Sequence, residues 1–129
     1  MLAQVSMEFI SLTLILIIIL LLVLYNNISF NRQIYSIKIY DDAQKICDQI
    51  AFEINLALKA GSGYSRIFYI SERILNVLDY NITINNYFVV LTWHNGFVQS
   101  PILTINVTGD FVKGNNLIKN IDGVIYVNK

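Results

Sequence analysis

Few residues in this 129-residue chain could carry reaction chemistry. There is one histidine, His94, beside Trp93 and just before Asn95-Gly96, a turn signal. A histidine in such a turn is ordinarily solvated. There is one cysteine, Cys47, which excludes an intrachain disulfide and a multi-cysteine zinc site. It falls on the apolar side of a helical pattern, where it reads as a small core residue. Asp41-Asp42 is the one adjacent carboxylate pair, without a partner of catalytic spacing. No Gly-rich phosphate loop and no Ser/His/Asp signature is present. The reading is therefore a protein that is not an enzyme and needs no cofactor and no metal. What remains is modification chemistry. Three Asn-x-Ser/Thr sequons, at Asn27, Asn81 and Asn106, are candidate glycosylation sites, in a chain whose 14 asparagines make chance matches common.

Composition points the same way. The chain is 55% apolar and only 14% charged, while soluble domains carry about 25% charged residues. Of nine acidic residues only Glu8 precedes Arg32, and none of the nine basic residues does. The remainder is close to neutral, which argues against nucleic acid as a partner and against a polybasic lipid-surface module.

The excess apolarity is confined to one run. Phe9 to Leu24 is FISLTLILIIILLLVL, and fourteen of its sixteen residues are Leu, Ile, Val or Phe. The uncharged stretch reaches Asn31, which as a helix is roughly 34 Å long, enough for a hydrocarbon core of about 30 Å. A domain of this size has no interior for a helix that is apolar on every side. A cleaved secretory signal would have a basic start and a small-residue exit, and Tyr25-Asn26-Asn27 is a poor exit. The run reads as a retained membrane span, with the lipid bilayer as its partner.

The residues before it are more specific. Ala3-Gln4-Val5-Ser6-Met7-Glu8-Phe9 resembles the processing motif of archaeal type IV pilin-like proteins with a class III signal peptide. The resemblance covers residues 3–24. It implies cleavage by a prepilin-type peptidase between Ala3 and Gln4, and Glu8 as the fifth residue of the mature chain. It also implies assembly through Gln4, Ser6, Glu8 and Phe9, with copies of the chain or other pilin-like subunits as partners. Residues 1–3 are then the leader. They lack the lysines that such leaders carry, which leaves open a start further upstream or an uncut member. Read without the family, Ser6 and Glu8 are a capped helix start, with Glu8 in the first turn against the positive end of the macrodipole.

Arg32, C-terminal to the span, would by the positive-inside rule put the remainder in the cytoplasm. The resemblance and the sequons put it outside. One arginine is a weak topological signal, so the expectation is a single-pass membrane protein with its C-terminal domain outside the cell.

Beyond the span, Ile39, Ala43, Ile46, Cys47, Ile50, Ile54, Ala57 and Leu58 recur at helical spacing. Lys38, Asp41, Asp42, Lys45, Asp48 and Glu53 are assigned to the solvent side. No proline interrupts residues 1–60, and Gly61 is the expected helix stop. Asn26-Asn27 and Ser29 mark a place where the helix would bend. From Tyr64 the period changes to two. Strands are expected at Arg66–Ser71, Tyr80–Asn85, Tyr87–Trp93, Ile102–Val107 and Val124–Asn128, with Pro101 at a strand start. Turns are expected at Asn85-Asn86, Asn95-Gly96, Gly109-Asp110, Gly114-Asn115 and Asp122-Gly123. Leu103, Ile105 and Val107 are expected on the buried face, and most of the tyrosines and phenylalanines in the core.

The fold class that follows is α+β, a long N-terminal helix packed on a small antiparallel β-sheet. Its parts are a leader at 1–3, a transmembrane and assembly helix at 4–31, an amphipathic helix at 32–61 and a β domain at 62–129. The expected function is a pilin-like structural subunit of a surface filament or envelope assembly. The alternative is a monomeric, membrane-anchored extracellular binding or scaffolding domain.

Overall fold

The structure, a computed structural model, describes residues 1–129 apart from the side chains of Leu2 and Ala3. The chain is α+β: one helix, α1 (Leu2–Ala60), and seven strands. The contacts divide it into Met1–Ile37 and Lys38–Lys129.

In the first unit α1 begins at Leu2 and passes through Ser6, Glu8, Asn26, Asn27 and Ser29 without interruption. Two local expectations are corrected. Ser6 is not a cap, because helical residues precede it, and no acidic residue lies in the first turn. Second, the helix continues through Asn26-Asn27 and Ser29, where a bend was expected. Asn27 Nδ2 donates to the Val23 carbonyl (3.1 Å), so this amide stays within its own helix. Every side chain from Gln4 to Ile28 is exposed.

In the second unit Lys38–Ala60 buries one stripe. Ala43, Cys47, Ile50, Ile54 and Ala57 are inaccessible, and Ile46 and Ala51 nearly so. Ile39 and Leu58 flank them. The helix stops where Gly61 takes φ 87°, the left-handed geometry of a C′ residue. The buried Asn120 reinforces the stop. Its Nδ2 donates to the Ala57 carbonyl (2.8 Å), one of the last-turn acceptors that the helix itself cannot satisfy.

The strands are β1 (Ser65–Ile70), β2 (Asn81–Asn85), β3 (Phe88–Trp93), β4 (Gly96–Pro101), β5 (Val107–Thr108), β6 (Gly114–Ile121) and β7 (Val124–Val127). They form two sheets, β1-β6-β7-β5 and β2-β3-β4. The expectation of a single antiparallel sheet is thus corrected in two ways. There are two sheets, and the β5–β7 pair is parallel. The turn chemistry holds at Asp122-Gly123, where φ values of 51° and 84° match a two-residue hairpin with both central residues left-handed.

The largest correction concerns residues 102–106, which are not a strand. Asn55 on α1 accepts the Leu103 N–H (2.8 Å) and donates to the Pro101 carbonyl (3.3 Å), holding the chain off the sheet. Thr104 Oγ1 then accepts the Asn106 N–H (3.0 Å). The faces invert: Ile102 and Thr104 are buried, while Leu103 and Ile105 are 60% and 56% exposed. Pro101 ends β4 instead of starting a strand. Gly114-Asn115 opens β6 instead of making a turn. Of the aromatics only Phe68, Tyr80 and Phe111 are buried.

Glu53 is also corrected, from the solvent side to the interior. Its carboxylate is buried, with Oε1 3.5 Å from Arg66 Nη1 and Oε2 without a partner.

The stripe predicts its own test. Ile50→Asp places an unpaired charge at a site with no solvent and should cost several kcal/mol, enough to unfold a domain with about 5–15 kcal/mol of total stability. Thermal melts of the detergent-solubilised chain should lose the β transition. A wild-type melt would mean that this face is not the core.

Candidate functional site

The residues expected to act in assembly lie on one helix. Gln4 and Glu8 are four residues apart and so share a face. Ser6 and Phe9, three apart, share another. All four side chains are exposed. Ala3, the small residue of the expected cleavage motif, has its side chain outside the described residues.

The apolar run that follows is chemically prepared for hydrocarbon. An unsatisfied polar group in lipid costs several kcal/mol. Ser11 Oγ donates to the Glu8 carbonyl (2.9 Å) and Thr13 Oγ1 to the Phe9 carbonyl (2.9 Å), so neither hydroxyl needs water. The side chains around them are apolar on every side, and none is buried within the chain. The helix is long and apolar enough to cross a membrane. Glu8 stands apart. Among the described residues its carboxylate takes part in no ion pair.

The sequons fall in three settings. Asn27 lies mid-helix with its amide engaged on Val23. Asn81 and Thr83 are exposed on β2. Asn106 is exposed just before β5, and its partner Thr108 is half-buried.

In the second unit the groups with chemistry are structural. Cys47 Sγ donates to the Val89 carbonyl (3.3 Å), and burial pushes its thiol pKa up, away from the reactive thiolate. His94 is exposed in the β3–β4 turn. Among the described residues no three His, Cys, Asp or Glu side chains converge as metal ligands would. Lys113 pairs with Asp79, holding that carboxyl below its usual range, and lies over the Tyr80 ring at 5.1 Å.

One concavity was not legible from the sequence. A cleft of about 420 Å³ lies between β2 and the 105–111 segment, lined by Ile82, Ile84, Ile105, Val107, Asp110 and Phe111 among others. It joins segments more than twenty residues apart, and its outward Ile105 came from the inverted face described above. The alternation with Thr104 and Asn106 put Ile105 on the expected buried face, so no local pattern signalled the cleft.

Tyr80 gives a pH prediction. Its hydroxyl donates to the Ser71 carbonyl, and burial is the main cause that pushes its pKa up from 10.0 to about 12, with Tyr69, Asp42 and Asp79 adding to it. The fold therefore favours the neutral phenol. That contribution is complete below pH 10 and is lost as the pH rises through about 12. Chemical denaturation at a series of pH values should show stability falling in this window. Tyr80→Phe should be less stable at neutral pH and show a smaller fall there. A variant with the wild-type slope would contradict the assignment.

No protein-family model matches this chain, and neither a curated protein nor a solved structure matches it.

Proposed function

We propose that this chain is a pilin-like structural subunit of a cell-surface filament or envelope assembly, anchored in the bilayer by the first part of α1. The observation that carries the reading is a lone carboxylate, Glu8, directly preceding an apolar run that is exposed on all sides. A carboxylate facing an apolar environment needs a compensating charge. Cleavage between Ala3 and Gln4 would create one, the new ammonium of Gln4 on a neighbouring subunit. The Gln4-x-Ser6-x-Glu8-Phe9 pattern, set directly against the apolar run, supports this use over a simple helix start. On this reading the β-rich unit is outside the cell, and Asn81 and Asn106 carry exposed acceptor amides. A second reading, a tethered extracellular binding domain, is favoured by the cleft beside β2.

Glu8→Ala separates the two. Insertion depends on the apolar run, at ~0.3–0.6 kcal/mol for each apolar residue, and should survive. Filament entry should fail, because the neighbour's ammonium is left unpaired. Membrane fractions by immunoblot, sheared surface fractions by electron microscopy and the mature N-terminus by mass spectrometry read the outcome. Normal filaments from the variant, or an uncut Met1 with no filaments in the wild type, would favour the tethered domain.

Topology is tested separately. Protease added to intact cells should digest the chain beyond Arg32. Complete protection would place that part inside.

A further inference from the structure

The tight loops of the β2-β3-β4 meander determine where each backbone group points. Asn85 and Phe88 flank one two-residue loop, and Trp93 and Gly96 flank the other. Residues that close such a loop hydrogen-bond across their own hairpin, and the bonded pairs recur at every second residue. In β3, Phe88, Val90 and Thr92 therefore face β2, while Val89, Leu91 and Trp93 face β4. In β2, Asn81, Thr83 and Asn85 face β3. Ile82 and Ile84 direct their N–H and C=O groups the other way, to the open edge of the sheet. Among the described residues no turn or loop backbone group reaches them.

That edge borders the 420 Å³ cleft. Across it lies β5, the outer strand of the other sheet and only two residues long. The Val107 N–H of β5 is already bound to the Ile105 carbonyl (2.9 Å), so the open edge at this cleft is that of β2. The lining is mixed: Ile82, Ile84 and Val107 are half-buried and Ile105 is 56% exposed, beside the polar Thr83 and Asn86. Asp110 is the one charged residue in the cleft lining, and it is exposed.

Donors and acceptors that repeat every second residue, about 6.8 Å apart, are matched by an extended main chain. We propose that the cleft binds an extended peptide segment of a partner protein by strand addition to β2. The segment carries apolar residues at alternate positions and a basic residue opposite Asp110. Main-chain bonds to Ile82 and Ile84 supply affinity, and the apolar side chains of the lining and Asp110 supply selectivity. Edge strands are ordinarily shielded by charge, proline or a bulge. β2 (NITIN) has none of these. The inference does not depend on how the N-terminal helix is used.

The test uses the full chain in detergent micelles and an acetylated, amidated hexapeptide, Lys-Val-Thr-Val-Thr-Val. Backbone amide exchange is read by NMR. The Ile82 and Ile84 amides should exchange fast in the free protein and at least about tenfold more slowly at saturating peptide, with Thr83 unchanged. Lys-Val-Pro-Val-Pro-Val, which lacks the donors, should give no protection. Ile84→Pro removes an outward donor but no ladder bond and should bind at least about tenfold more weakly, while Ile84→Val binds as wild type. Asp110→Asn should lose the preference for the Lys peptide over one with Glu in its place. Slow exchange of both amides in the free protein, or no protection at millimolar peptide, would overturn the proposal. So would wild-type affinity in a folded Ile84→Pro variant.

Discussion

One helix face has to cover two sheets. The β1-β6-β7-β5 and β2-β3-β4 sheets share no ladder, so each has an apolar face that something else must cover. The residues of α1 that face them are graded in size. Ala43, Cys47, Ala51 and Ala57 alternate along it with Ile46, Ile50 and Ile54, and all are buried in the core cluster. Val89, Leu91 and Val98 from one sheet and Phe68, Ile70, Ile118, Ile125 and Val127 from the other belong to the same core cluster. Removing this stripe would leave both inward faces uncovered at once.

Apolar burial is non-directional, so it does not by itself fix which strand lies where. Directional fixing comes from polar residues on the margins of the same helix. Gln49 donates to the Tyr69 carbonyl on β1 (2.9 Å), and Gln44 to Ser100 Oγ on β4 (2.9 Å). Asp42 accepts the Leu75 N–H (2.6 Å), at a residue held at φ 51°. Asn55 secures both sides of Ile102. Asn120 joins the helix end to the β6–β7 turn through the Gly123 N–H (2.9 Å). Each net contribution is about 1 kcal/mol, but each removes an alternative register. Glu53 is the exception. Its orphan oxygen sits among these satisfied groups, a burden of about 1–3 kcal/mol that the half-exposed Arg66 offsets only in part.

These margins explain what the sequence revealed and what it concealed. The helix stripe was legible because Ala43, Ile46, Cys47, Ile50, Ile54 and Ala57 recur at mixed three- and four-residue spacing, which a helix face satisfies and a strand face does not. The β2–β3 hairpin was legible from Asn85-Asn86, and Asn95-Gly96 marked the turn after β3, but the strand that follows it, β4, was not expected. β6 was not, because two of its three buried positions are Asn116 and Asn120, and a strand with amides inward inverts the usual pattern. Those amides are inward because they satisfy local backbone. Asn116 accepts from Val112 (2.8 Å) and donates to Gly114 (3.0 Å). The 102–106 segment misled for the opposite reason. Its alternation is strand-like, but Asn55, nearly fifty residues earlier, removes its ladder. The parallel β5–β7 pair needs β6 to be placed first. In the candidate assembly segment every residue was named by the sequence, since it depends on local order along one helix. The cleft depends on where two sheets end, and no local pattern encodes that.

The same side-chain types are therefore used in two ways along one continuous helix. Up to Ile28 leucine and isoleucine occupy all sides of α1, and none is buried within the chain. From Ala43 the apolar residues contract to one stripe, and charged residues such as Asp41, Lys45 and Asp48 hold the exposed side. The Asp41–Lys45 pair, at 2.7 Å, is fully solvated helix chemistry. The hydroxyls of Ser11 and Thr13 turn back on carbonyls of their own helix, which satisfies them without an outside partner. Glu8 fits neither pattern. It is charged, exposed, next to the apolar run and without an ion-pair partner among the described residues.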